Sequence, residues 1–234
     1  MKHPRALLGQ LVPLSLLAAS APAAAQDSEI RELSGFTAVA VGGGIDLFLR
    51  QGEPFRVQVS ASNRELGEIV TEVHDGKLEI RRRRPAAFLD WGDRGFVSVI
   101  LPELTALTAS GGSDVEVEGA FSGDALELVA SGGSDLTIDV AVTNLDVTAS
   151  GGSDVQLRGS AASARVQASG GSDLDASRLT VDDADVQSSG GSDLSIGVRN
   201  KIVANASGGS DVSYIGQPGT VNVNTSGGSD VRRR

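Results

Sequence analysis

The sequence predicts an all-β protein: a parallel β-solenoid with coils of about 20 residues, preceded by an N-terminal β region with a hairpin. Three observations predict it. The pentapeptide Ser-Gly-Gly-Ser-Asp occurs seven times, beginning at Ser110, Ser131, Ser150, Ser169, Ser189, Ser207 and Ser226, at separations of 21, 19, 19, 20, 18 and 19 residues. A period of that size marks a solenoid, in which each repeat buries its apolar face only against its neighbours. Apolar residues alternate on both sides of the pentapeptide, as in Leu126, Leu128, Ala130 before it and Leu136, Ile138 after it, with Glu127 and Thr137 between them. Period two is strand, one face in and one face out. No helical i, i+3, i+4 pattern competes with it after residue 100.

Along the chain, residues 1–25 read as a signal peptide. Lys2 and Arg5 make a basic start, "ALLGQLVPLSLLAAS" is apolar but interrupted by Pro13, and Ala23 and Ala25 occupy the small-residue positions before a cleavage expected between Ala25 and Gln26. Residues 26–33 form a short linker. Residues 34–107 form the N-terminal β region. There "FTAVAVGGGIDLFLRQG" is a degenerate version of the repeat, and "FRVQVSAS" is an alternating strand. "TEVHDGKLEIRR" is a hairpin across Asp75-Gly76, a pair suited to tight turns. "RRRRPAAFLDWGDRG" is a loop, and "RGFVSVILPEL" is the strand that leads into the repeats. Most aromatic residues precede residue 100, so any core of ordinary thickness is expected in this half. Residues 108–234 form the repeat solenoid, its thin interior built from Val, Leu, Ile and Ala, with successive repeats aligned without insertions. Arg232, Arg233 and Arg234 end it, and read as a charge guard on an open coil or as a partner-binding tail.

The pentapeptide itself reads first as a bend. A coil must change direction, and tandem glycines make that cheapest, by positive φ or close backbone approach. The flanking serine can hydrogen-bond across to the next coil's serine, and the aspartate can accept backbone N–H groups in an Asx-type turn. In register, Asp114, Asp135, Asp154, Asp173, Asp193, Asp211 and Asp230 would form a column of like charges. The alternative reading is that Ca²⁺ bridges them, as in glycine- and aspartate-rich β-rolls. The third glycine of that motif is absent and the period differs, so the hydrogen-bonded turn is favoured and no cofactor is expected. A second candidate contact is basic and aromatic: Arg81, Arg82, Arg83 and Arg84 for an anion or glycan, with Trp91 as a stacking platform, against the plainer reading of a solvated strand end and loop.

Function classes narrow by composition. Removing Lys2 and Arg5 from the 20 basic residues leaves 18 against 30 acidic ones, a balance of −12, which disfavours nucleic acid as a partner. After the signal no segment has the ~18 continuous apolar residues of a membrane helix. There is no cysteine, hence neither disulfide nor thiol nucleophile. After the signal the one histidine is His74, beside the hairpin turn, and no hydroxyl has an evident base. Parallel β-helix enzymes that act on polysaccharides use outward carboxylates and bases, for which Asp182, Asp183, Arg165 and Arg178 are available, but nothing separates these from solvated positions.

In order and spacing, "FTAVAVGGGIDLFLRQGEPFRVQVSA", "IVTEVHDGKLEI", "VSVILPELTALTASGGSDV" and the Ser-Gly-rich repeats resemble the head GIN domain family of putative bacterial auto-transporter adhesins, over about residues 33 to 231. The resemblance implies a parallel β-solenoid on an exported bacterial protein and brings no catalytic motif. A membrane barrel is not expected in the sequence up to Arg234. The resulting expectation is an exported, non-catalytic envelope or secreted module that binds a surface glycan or protein. A purely structural envelope scaffold and a carbohydrate-active β-helix enzyme are the alternatives.

Overall fold

The computed structural model describes residues 27–83 and 95–234. The signal peptide, the cleavage site at Ala25 and Gln26, and the loop residues Arg84 and Trp91 lie outside them. The strands are β1 (Asp27–Arg31), β2 (Ala38–Gly42), β3 (Asp46–Gln51), β4 (Arg56–Ala61), β5 (Ile69–His74), β6 (Lys77–Arg82), β7 (Phe96–Leu101) and β8 (Ala106–Ser110). They continue with β9 (Val115–Ser131), β10 (Asp135–Ser150), β11 (Asp154–Ser169), β12 (Asp173–Gly190), β13 (Asp193–Gly208), β14 (Asp211–Ile215), β15 (Thr220–Thr225) and β16 (Asp230–Arg233). One helical turn, α1 (Asn63–Leu66), follows β4.

The predicted parallel β-solenoid is what the chain forms. Strands β9 to β13 each run round a corner and contribute to both walls of a flattened coil. One wall has the order β1-β4-β7-β3-β9-β10-β11-β12-β13-β14-β16, and the other runs β5-β6-β2-β8, then through the same long strands to β15. Residues one coil apart stand level: Leu136 with Val155, Val147 with Val166, Asp135 with Asp154. Alternate residues point inward. Leu136, Ile138 and Val140 from one wall meet Leu145, Val147 and Ala149 from the other, all nearly inaccessible to solvent.

Two features depart from the sequence reading. The expected linker over residues 26–33 contains strand β1, whose antiparallel pairing with β4 makes it part of the sheet. The repeats do contain insertions. Their unequal lengths are absorbed as bulges near the corner, where pairing shifts between Thr137 and Asp139, between Gln156 and Arg158, and between Ala176 and Thr180. The core of the N-terminal region is continuous with that of the repeats, one apolar cluster running from Phe36 to Val212 among the described residues. The degenerate repeat β2-Gly-Gly-β3 is one more coil, with β2 paired parallel to β8 and β3 paired parallel to β9. It lies between the β8–β9 coil on one side and β6 and β7 on the other. The chain therefore leaves β7, steps across β3 and β2, and resumes at β8.

Antiparallel strands close the N-terminal end. β5 lies on β6 through the Asp75-Gly76 turn, whose φ values are +49° and +75°. β4 lies on β7, with β1 outside it. Phe36 packs on Phe55, ring centres 5.1 Å apart, while Phe48 and Phe96 meet edge to face on the outside. The opposite end is open. Val221 and Val223 hold inward register with Ile202 and Ala204 yet stay 43% and 41% exposed, and Arg232 to Arg234 are exposed beside them.

Candidate functional site

The pentapeptide edge shows why these five residue types recur. Gly151 has φ +68° and Gly152 φ +75°, and a Cβ on Gly151 would sit 3.2 Å from the nitrogen of Gly132 in the coil below. Backbone handedness and stacking both require glycine there. The second serine turns inward. Ser113, Ser134, Ser153, Ser172, Ser192 and Ser210 are buried. Ser153 Oγ accepts the Ser150 N–H at 3.1 Å and donates to the Ala130 carbonyl of the preceding coil at 3.1 Å. Ser172 repeats this with Ser169 and Ala149. The hydroxyl thus satisfies a turn donor and ties one coil to the next. The sequence pointed to serine-to-serine bonds between coils, but at Ser153 and Ser172 the partner in the preceding coil is a backbone carbonyl. Which serine is interior was not legible, because Ser at an inward position breaks the apolar pattern. Ser153→Ala should cost about 2 kcal/mol by leaving buried N–H and C=O groups unmatched. Urea unfolding against wild type measures it.

The aspartates form the expected column on the outer surface. Register runs Asp135, Asp154, Asp173, Asp193, Asp211, Asp230, with Asp114 level with Asp135 and Asp46 below it. Phe96 stands level with Asp46 and ends the column. Partial burial, reinforced by the charges of Asp114 and Asp154, raises the Asp135 carboxyl above the usual carboxylate range, against a hydrogen bond from the Asp154 backbone N–H. A raised native value means the folded protein holds this proton more tightly than the unfolded chain. The site's contribution to stability is therefore present at acid pH and lost as pH rises through the native value. Asp154→Asn keeps the backbone donor and removes one repelling charge, so the Asp135 titration should move down toward the ordinary range. Carboxyl NMR titration of both proteins tests this. Among the described residues, no group of three or more His, Cys, Asp or Glu side chains comes together so as to hold a metal ion.

The described arginines of the run, Arg81, Arg82 and Arg83, have separate partners. Arg82 donates to the Gly43 carbonyl at 3.0 Å and pairs with Glu65 of α1, fastening the helical turn to the first glycine bend. Arg81 pairs with Glu72 across the hairpin at 3.0 Å. Arg83 is an exposed bend residue whose N–H donates to the Glu68 carbonyl. His74 lies 3.6 Å from Glu72, mostly exposed.

Two grooves run along the coils on the β8–β15 wall, across strands rather than between them. The larger, about 560 Å³, lies near the corner. One side carries Asn144, Ser163, Asp183 and Lys201 in register. The other carries Glu127, Asp146, Arg165 and Asp185. Arg165 reaches Asp146 at 4.0 Å, and Ser163 donates to Asn144 at 2.8 Å. Asp185 Oδ1 is buried with no hydrogen-bond partner. The second groove, about 380 Å³, is uncharged, lined by Thr148, Gln167, Gln187, Asn205 and Asn224, with Asn224 donating to Asn205 at 2.9 Å. Neither groove was evident in the sequence, because their walls join residues of different types from different coils.

Comparison with known proteins identifies the architecture. A putative adhesin from Bacteroides fragilis NCTC 9343 superposes with a TM-score of 0.85 at 19% identity, over 91% of this chain and 99% of that one. A putative adhesin from Parabacteroides merdae ATCC 43184 gives 0.70 at 17% identity, over 89% and 96%. A putative lipid binding protein from Parabacteroides distasonis ATCC 8503 gives 0.69 at 14% identity, over 89% and 96%. At such identities these likenesses show the fold. No curated protein matches the sequence. The family model described as "putative auto-transporter adhesin, head GIN domain" matches residues 35–218, and the chain belongs to that family.

Proposed function

We propose that this adhesin-like chain is an exported, non-catalytic module of the bacterial cell envelope, or of the secreted material around it, that holds a surface glycan or protein. The observation that carries the reading is the combination of family membership with a rod whose outer surface is ordered columns of polar side chains. Such columns repeat one set of contacts every ~4.8 Å and suit an extended partner. The sequence supports export through its first 25 residues. Among the described residues no helix is long and apolar enough to cross a membrane.

Non-catalytic action is favoured because His74 is mostly exposed and its ion-pair partner is Glu72, an ordinary solvated contact along β5. Three measurements test the reading together. Protein recovered from the producing cell should begin at Gln26 and fractionate outside the cytoplasm. The purified protein should bind envelope preparations saturably. It should release no reducing ends or unsaturated products from acidic polysaccharides. Cytoplasmic retention, or envelope binding no greater than that of an unrelated acidic protein, would contradict the proposal.

A further inference from the structure

We propose that the corner groove is a saccharide site, and that it takes a linear chain bearing amino groups rather than a uronate-rich one. This rests on the binding-module reading above and names the ligand class of one surface on it. The backbone beneath the groove is already used, since β9 to β13 pair continuously on both sides across Leu126, Leu145, Ala164 and Ala184. An added peptide strand has no free main-chain groups to pair with there, so recognition must come from side chains.

Apart from Ser163 and Lys201, the polar side chains of the two sides are planar carboxylate, amide and guanidinium groups that can engage two neighbouring hydroxyls at once. They recur at the coil spacing of ~4.8 Å, close to the length of one sugar unit in an extended chain. Charge selects among saccharides. Glu127, Asp146, Asp183 and Asp185 outnumber Arg165 and Lys201 along the two sides. Arg165 is already turned toward Asp146. Asp185 lines the groove with its Oδ1 shielded from solvent and unmatched by any donor, and an ammonium at the groove surface would offset the charge it carries. A uronate chain would bring more carboxylates to a wall that already has an excess.

The test is titration calorimetry of the purified protein with three hexasaccharides: β-1,4-linked glucosamine, its N-acetylated form, and oligogalacturonate. Glucosamine hexamer should bind about tenfold or more tightly than the N-acetylated form, as expected for one charge-assisted contact, and should weaken in salt. Oligogalacturonate should not bind. Asp185→Asn, with Asp146→Asn as a second variant, should lower affinity for the glucosamine hexamer about tenfold without shifting the melting temperature by more than a degree or two. Oligogalacturonate binding equal to or tighter than glucosamine, or unchanged glucosamine affinity in both variants, would overturn the proposal. Failure of all three probes while the protein still binds envelope preparations overturns the groove assignment alone. Failure of both overturns the binding-module reading as well.

Discussion

Val147→Asp should leave the rod unfolded or nearly so, whereas Thr148→Asp one residue later should leave it intact. Val147 is fully buried between Leu128 and Val166 of the adjacent coils, so an aspartate there would place a carboxylate in a thin apolar interior with no cation beside it. The cost combines lost burial with an unpaired charge, roughly 3–5 kcal/mol, which is a large share of the stability of a single domain. Thr148 points outward beside Val129 and Gln167, and a charge there remains hydrated. Because one step along a strand reverses the face, the pair tests register as well as burial. Similar melting temperatures for the two variants would show that the coil is wound differently.

The second large effect is expected at Gly159, away from the repeated pentapeptide. Its φ is +104°, and a Cβ there would lie 2.0 Å from the Val140 carbonyl oxygen of the preceding coil. No rotamer relieves a contact between a Cβ and backbone, so Gly159→Ala must separate two coils at the corner and lose ladder bonds, at roughly 3 kcal/mol or more. Gly152→Ala is the comparison. At φ +75° it is also left-handed, but no atom lies within 4 Å of the added carbon, so only the backbone penalty of roughly 1–2 kcal/mol remains. Chemical denaturation should rank Gly159→Ala well below Gly152→Ala. The reverse order would mean the corner has slack that the structure does not show.

Gly159 also marks what could be read in the sequence and what could not. The coil interior was legible because Leu136, Ile138, Leu145 and Val147 follow a simple alternation repeated at a fixed period. The hairpin was legible because Asp75-Gly76 is a local turn signal. Corners were not, since their glycines and bulges occur at different offsets from one coil to the next and answer to a neighbour about 20 residues away. The placement of β2 and β3 between β7 and β8 was hidden for the same reason, because parallel pairing over some 68 residues leaves no local trace. In this first coil Ile45 replaces the inward serine and donates its N–H to Ser113 Oγ, a substitution that made the repeat look merely degenerate. Asp114 to Asp230 of the acid column were predicted residue by residue, but Asp46 at its foot was not, since the degenerate first repeat hid it. The grooves depend on side chains that share a height on the rod and nothing in the one-dimensional pattern.

The repeated Ser-Gly-Gly-Ser-Asp is assigned to shape, with glycines that make the bend, a buried serine that ties coils together and an aspartate that remains at the surface. Ca²⁺ could instead act as the link between coils only by collecting six to eight oxygen ligands from a column that offers one carboxylate per coil. A melting curve decides between them. Metal that binds the native state alone would raise the midpoint by mass action. With the acids serving only as surface groups of a hydrogen-bonded turn, melting temperatures in EDTA and in millimolar Ca²⁺ should agree within about a degree, and Asp154→Asn should change stability by no more than about 1 kcal/mol. A rise of several degrees on adding Ca²⁺ to the wild type, abolished by Asp154→Asn, would contradict the account and make the column a metal ladder.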